Sequence, residues 1–318
     1  MSAYRPEFCR VLYVILLAVA LAAAARAAEP FSVVLLPDTQ NYAENYPDTY
    51  KAQTAWIASR VKPDNLRFVI HLGDIVQTAA AEKEWKVADA AHKQLDGVVP
   101  YSVVPGNHDM DHAGDDITRK TALYNKYFPP SRFEGNAWYG GHKGEDNVNN
   151  YCFFEGGGMK FMVLNLESAP SAETLAWAQG VLEAHPEHRV ILATHFYLRP
   201  EGRVPEKRPY GLDGAGPEQL WNNFIRKQKN IFMVVCGHVL GVHHQTSVND
   251  FGAGVHEILC DYQGEDNGGN GWLQTMRFVP DENKICVEAY SPTLKQDNPA
   301  PPHSYVLDYK MAGGLAQQ

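Results

Sequence analysis

Five apolar runs, each closed by an acid, an amide or an imidazole, set the main constraint on this chain. Phe31–Leu36 leads into Pro37-Asp38-Thr39-Gln40, and residues 66–72 lead into Gly73-Asp74. Residues 98–104 precede Gly106-Asn107-His108-Asp109, residues 189–194 deliver His195, and Ile231–Cys236 delivers Gly237-His238. Short runs rich in Val, Ile, Leu and Phe read as buried strands. Helical spacing fills the gaps between the first three, over residues 48–61 and 79–95, with Ala52, Ala55, Trp56 and Ile57 toward one side of the first. Strand and helix in alternation predict a layered α/β domain. In such sheets the polar residues that end successive strands gather on one edge, where ligands bind.

The remaining stretches fit around that plan. Residues 111–147 read as an irregular insert over the site, with a helix near 116–128 stopped by Pro129-Pro130. Its charges read as solvated. Residues 151–154 and 160–165 predict a hairpin across Gly156-Gly157-Gly158. That glycine run is a turn, because no helix opens after it to cradle a phosphate. Ser171 suits the N-cap of a helix over 171–184, and residues 218–227 read as helical. From residue 242 the chain is β-rich, with runs near 242–248, 254–261, 272–279, 284–290 and 304–309. A β-heavy tail after βα units suggests a second sheet packed on the first. With no linker and no repeat, residues 28–311 are expected to form one domain, with a loose tail at 312–318.

The N-terminus reads as a targeting signal. Arg5 and Arg10 precede an apolar stretch from Val11 to Ala25, and Ala25-Arg26-Ala27 fits a small-x-small cleavage pattern. The stretch is short for a span of about 20 residues, so cleavage after Ala27 is favoured over a lasting membrane anchor. The expectation is an exported protein, periplasmic or secreted. Losing three arginines and one glutamate with residues 1–27 makes the mature chain more acidic by two charges than the full chain's −9. Such a balance argues against a general nucleic-acid surface. It leaves room for a phosphate-bearing substrate, since bound cations add local positive charge. Cys9 leaves with the signal, and Cys152, Cys236, Cys260 and Cys286 read as small buried hydrophobes. An oxidising compartment would also permit a Cys260–Cys286 bridge.

Asp38, Gln40, Asp74, Asn107, His195 and His238 supply carboxylates, amide oxygens and imidazoles at strand ends. That donor set suits borderline divalent ions such as Mn²⁺, Fe²⁺ or Zn²⁺. Two ions about 3.5–4 Å apart would activate water at neutral pH and clamp both oxygens of an in-line phosphoryl displacement. Each residue taken alone has a plainer reading. Asp38 and Asp74 suit turns, and His195 and His238 suit buried, hydrogen-bonded histidines. Their shared placement after apolar runs favours the site.

In order along residues 31–240, Asp38-x-Gln40, Gly73-Asp74, Gly106-Asn107-His108-Asp109, His195 and Gly237-His238 resemble the blocks of the calcineurin-like metallophosphoesterases. The resemblance implies a four-layer α/β/β/α sandwich, two β-sheets flanked by helices, with a dinuclear site at the strand ends. Asp74 resembles the bridging carboxylate and Asp38 a ligand of the first metal. Asn107, His195 and His238 resemble ligands of the second. His108 resembles the histidine that protonates the leaving oxygen, with Asp109 orienting it.

Two departures stand out. The family's first block is usually Asp-x-His, where this chain has Gln40, and its last is usually Gly-His-x-His, where this chain has Leu240. Both missing imidazoles would serve the first metal, so the sequence predicts one firm ion and one weak or exchangeable one. His243, His244 and His112 are outside candidates for the lost ligand. His71 reads as a core or supporting histidine. His92, His142, His185, His188, His256 and His303 read as surface. Asp261-Tyr262-Gln263 and the glycines at 268–271 read equally as pocket lining or as a long β-connection.

The expected activity is hydrolysis of a phosphomonoester or phosphodiester by activated water. No serine or cysteine in the cluster suggests a covalent intermediate, and GxSxG is absent. The rivals are a protein that keeps the fold and one ion without turnover, and a metal-dependent hydrolase of a non-phosphate bond.

Overall fold

The computed structural model describes residues 28–113, 116–205 and 209–311. The expected signal peptide at 1–27 and the loose tail at 312–318 lie outside the described residues.

Two seven-stranded sheets face each other. In the first, β1 (Phe31–Leu36), β2 (Leu66–His71) and β3 (Tyr101–Ser102) run parallel. On the other side of β1 come β15 (Leu273–Val279), β16 (Lys284–Ser291) and β17 (Gln296–Asn298), all antiparallel, with β18 (Tyr305–Asp308) also pairing with β16. The second sheet has the order β13 (Gly241–Val248), β14 (Gly254–Asp261), β12 (Ile231–Cys236), β9 (Arg189–Ala193), β8 (Met159–Asn165), β7 (Asn150–Gly156) and β6 (Tyr139–His142). Its four central strands, β14, β12, β9 and β8, are parallel. Two short ribbons, β4 (His112–Ala113) with β5 (Asp116–Ile117) and β10 (Leu198–Arg199) with β11 (Gly202–Arg203), sit outside the sheets.

β1 shows why the layers form. All six of its residues are buried, because alternate side chains leave opposite faces of the strand. Phe31, Val33 and Leu35 enter the core between the sheets, with Phe161, Val163, Phe232 and Phe278. Val34 and Leu36 enter a second core with Tyr50, Ile57 and Trp85 from the helices Pro47–Arg60 and Glu82–His92. On the far side, Leu164, Leu192 and Val234 meet Leu182 and Trp221 from the helices Ala172–Ala184 and Pro217–Asn223. Helix, sheet, sheet and helix are thus stacked as four layers, the expected fold class.

Several sequence expectations need correction. The β-rich tail is not a second sheet of its own: β13 and β14 complete one sheet, while β15 to β18 complete the other. Residues 98–104 form only the two-residue strand Tyr101–Ser102, since Pro100 and Pro105 have no N–H to give a ladder. The helix expected over 116–128 is confined to Ala122–Tyr127, and β5 takes its start. On the first helix the buried face is Tyr50, Gln53, Thr54 and Ile57, rather than Ala52 and Ala55. The Cys260–Cys286 bridge does not form. Cys260 faces the space between the sheets, whereas Cys286 lies between two inward residues of β16 and points outward, and both are free.

Three of the histidines read as surface are buried: His92, His188 and His256. His92 ends a helix against Tyr50, Tyr101 and Phe128, and its Nδ1 lies 3.1 Å from the Ala88 carbonyl. Burial, aided by the Arg132 charge, pushes its pKa from 6.5 down to about 3. The unfolded chain therefore binds a proton below pH 6.5 that the native chain refuses. This group's contribution to stability is full above pH 6.5 and declines as the pH falls toward 3. The slope is about 1.4 kcal/mol per pH unit. Denaturant unfolding at pH 6.5 and 4.5 is expected to show His92→Phe losing roughly 2–3 kcal/mol less than the wild type over that interval. Equal losses in the two proteins would show that His92 charges freely in the native state.

Candidate metal centre

Every sequence-predicted site residue follows a parallel strand of one sheet or the other, and the strands aim at a common rim. Asp38 follows β1, Asp74 follows β2, and Asn107 opens the turn Asn107–Asp109 after β3. From the facing sheet, His195 follows β9 and His238 follows β12. The backbone is held in unusual conformations at two of these ends, with φ of +51° at Asp74 and +72° at His238. Such non-glycine residues persist where the surroundings over-determine them, often at functional sites.

His195 is the hub. It is fully buried, with Nε2 3.2 Å from Asp74 Oδ2 and 3.1 Å from Asn107 Oδ1. Its Nδ1 lies 2.9 Å from the Leu72 carbonyl and 3.7 Å from Asp38 Oδ1. Ligand atoms of Asp74, His195 and His238 all lie within 4.8 Å of one another. The Asp38 carboxylate accepts the His238 N–H at 2.9 Å, which ties the two sheets together at the rim. Gln40 donates Nε2 to Asp74 Oδ2 at 3.2 Å and also to Gln263 Oε1.

Two glycines let these groups approach. A Cβ on Gly106 would stand 2.0 Å from Asp74 Oδ1, and one on Gly237 would stand 2.0 Å from Asp38 Oδ2. The motif glycines are therefore spacers for carboxylates, not only turn-formers.

The role expected for Asp109 is corrected. Its carboxylate accepts backbone N–H groups from Ile75, Val76 and Gly106 at 2.8–3.1 Å, and so pins the loops after β2 and β3 to each other. The contact that orients His108 comes from the Gln77 carbonyl, 2.7 Å from Nδ1. A carbonyl only accepts, so Nδ1 carries the hydrogen and Nε2 is left for other work. The His108 N–H donates to Asp74 Oδ1 at 2.9 Å. His108 also borders a cavity of about 660 Å³, lined besides by Gln77, Thr78, Ala79, His112 and Lys120.

Three residues outside the motifs complete the rim. Tyr210, itself at φ +56°, places its hydroxyl 3.0 Å from Asn107 Oδ1 and 2.9 Å from the His238 ring nitrogens. Asp261, the last residue of β14, is buried and receives Gln263 N–H at 2.8 Å and Gln263 Nε2 at 2.9 Å. Gln263 in turn meets Gln40. Asp261 and Gln263 fall in the stretch whose two readings the sequence left open, and the signal was the one used elsewhere, an acid at the end of an apolar run. Tyr210 gave no such signal. The outside candidates for the lost ligand sit elsewhere. His112 is exposed on β4 by the cavity, and His244 stacks on Tyr305 along β13 beside His243. Leu240 is exposed.

The electrostatics fit divalent cations. Asp38, Asp74 and Asp261 are all buried, and the His195 charge acts on each of them. Burial alone would lower His195, yet Asp74 and Asp38 hold it up at about 10. Burial and the Asp261 charge push Asp38 well above the usual carboxylate range, while His195 keeps Asp74 low despite burial. Asp38 Oδ2 and Gln40 Oε1 are buried oxygens without a protein hydrogen bond. Burial and the His195 charge lower His238 to about 3, and a cation at the rim would displace the His195 proton as counter-charge to the carboxylates, which leaves both imidazoles neutral for ligation. Oxygens without donors beside crowded carboxylates and a neutral imidazole make a donor set for a metal ion.

A sandwich with this rim has the build of a metallophosphoesterase. The calcineurin-like phosphoesterase family matches residues 31–241, and the chain belongs to that family, which is metal-dependent. It is 33% identical over 279 residues to the uncharacterized protein YvnB of Bacillus subtilis (strain 168), a match covering 86% of this chain and 21% of YvnB. This chain thus spans about a fifth of that curated relative. In architecture it resembles the purple acid phosphatase PPD1 from yellow lupin (Lupinus luteus) seeds, with a TM-score of 0.55 at 14% identity, covering 89% of this chain and 54% of the lupin chain. The likeness to the lupin enzyme is one of fold.

Proposed function

We propose that this protein is an exported metal-dependent phosphoesterase that hydrolyses a phosphomonoester or phosphodiester. The observation that carries the reading is the convergence of Asp38, Asp74, Asn107, His195 and His238 on one rim, with His108 beside an open cavity. Asp74, Asn107, His195 and His238 would hold one ion, and Asp38, Gln40 and Asp74 would hold part of a second. Mn²⁺, Fe²⁺ and Zn²⁺ suit the imidazole-bearing side. Ions bound there supply Lewis acidity and lower the pKa of water toward neutrality.

The chain's own residues do the rest. Asp109 fixes the loop that carries Asn107 and His108 by its three backbone contacts. The Gln77 carbonyl fixes the His108 ring, so Nε2 can hand a proton to the departing oxygen. The adjoining cavity gives an organic leaving group a place next to that nitrogen. Export rests on the basic, apolar and small-residue pattern of residues 1–27.

The test is a panel of phosphomonoesters and phosphodiesters with the purified full chain, before and after chelation. Hydrolysis that disappears with chelator and returns with Mn²⁺ is the expected result. A metal-replete protein idle on every ester would favour the non-catalytic rival.

A further inference from the structure

The chain lacks imidazoles at positions 40 and 240, and Leu240 turns outward to cover Gly264. Behind that gap stands Asp261. In the β13–β14 ladder Asp261 pairs with Gly241, the residue next to Leu240, so β14 brings a carboxylate to the rim beside the missing ligand. It is 1% exposed. Buried carboxylates need a counter-charge or strong donors, and the contacts on Asp261 are those of a neutral glutamine. Gln263 reaches from Asp261 to Gln40, and Gln40 reaches Asp74, so four side chains form one continuous chain around the gap. The unpartnered buried oxygens Asp38 Oδ2 and Gln40 Oε1 belong to the same corner.

Resting on the phosphoesterase reading above, we infer that Asp261 is a ligand of the first metal, replacing the missing imidazoles and converting that position into an oxygen-only site. Its donors are the carboxylates of Asp38, Asp74 and Asp261 and the amide oxygen of Gln40. A carboxylate oxygen carries two lone pairs, so Asp261 can accept from Gln263 and bind an ion at once. Gln263 then serves as the positioning residue, as hydrogen-bonded partners of ligating carboxylates do.

The consequence is a divided preference. Oxygen donors favour hard cations such as Mg²⁺ and Mn²⁺, while the side built on His195 and His238 favours borderline ions such as Zn²⁺ or Fe²⁺. The first position is therefore not a weakened copy of an imidazole site but one retuned to a different ion.

Two measurements on the full chain test this. Crystals of the wild type grown with Mn²⁺ should show two anomalous peaks, one with an Asp261 oxygen in its coordination sphere. Metal analysis after equilibration with Mn²⁺ should give two ions per wild-type chain and one per chain for Asp261→Asn. Two peaks without Asp261 as ligand, or two ions retained by the folded variant, would overturn the Asp261 assignment and leave the phosphoesterase reading standing. A single wild-type ion, held by His195 and His238, would do the same. A wild type that binds no ion would overturn both.

Discussion

His108→Ala is expected to lower turnover by about 10²–10⁴-fold while the metal content stays at the wild-type value. The two readouts should separate because the hydrogen bond of the ring goes to the Gln77 backbone and not to the ligand cluster. Its Nδ1 is committed to the Gln77 carbonyl, and the link to Asp74 runs through the backbone N–H, which alanine keeps. The loss should be smallest for esters whose leaving group departs without a proton, such as nitrophenolates, and largest for alkyl esters. Equal loss of metal and turnover would make His108 a ligand. A loss uniform across leaving groups would remove its role in protonation.

Gly106→Ala is the second large effect, and it works through space rather than chemistry. The added Cβ would stand 2.0 Å from Asp74 Oδ1 and 2.4 Å from the Asp74 backbone nitrogen. A flexible side chain could swing away from such a contact, but a backbone atom cannot. The loop after β2 must move, and with it the Asp74 carboxylate that lies within 4.8 Å of the His195 and His238 ligand atoms. Overpacking of this kind costs about 1–3 kcal/mol of stability. Displacing a reacting group by about 1 Å costs roughly 10²-fold in rate. The variant should fold with a lowered unfolding midpoint, bind metal weakly and turn over at least 10²-fold more slowly. Full metal content and wild-type rate would mean that the two loops have slack that the packing does not suggest.

The parts of this protein that were legible in its sequence are those where local chemistry and global fold agree. Phe31–Leu36 and Ile231–Cys236 are strands from end to end because all but Ser32 of their side chains are apolar and every residue of both is buried. Ser171 caps its helix by accepting the Thr174 N–H, as its side chain suits it to do. The hairpin at Gly157-Gly158 turns where two adjacent glycines both take positive φ. What the sequence hid was decided by partners distant along the chain. Asp109 stands beside His108 in sequence, yet it turns to three N–H groups, two of them more than 30 residues away. His92 reads as polar, and only the aromatic side chains of Tyr50, Tyr101 and Phe128 make it a core residue. Tyr210 reaches Asn107 from 103 residues downstream without any motif to announce it.

The joining of the two sheets at the rim bears on how this protein can be cut. Asp38, Asp74 and Asn107 come from one sheet and His195, His238 and Asp261 from the other, with Asp38 and His238 in contact across 200 positions of chain. Half of the centre is absent from any fragment that stops before residue 195. A fragment trimmed to residues 31–241, the span that matches the family, would discard Asp261 and also β15, which pairs with β1, and β16 beyond it. Expression boundaries chosen from the motifs alone would therefore yield a polypeptide with its signature blocks intact and its ion-holding corner dismantled.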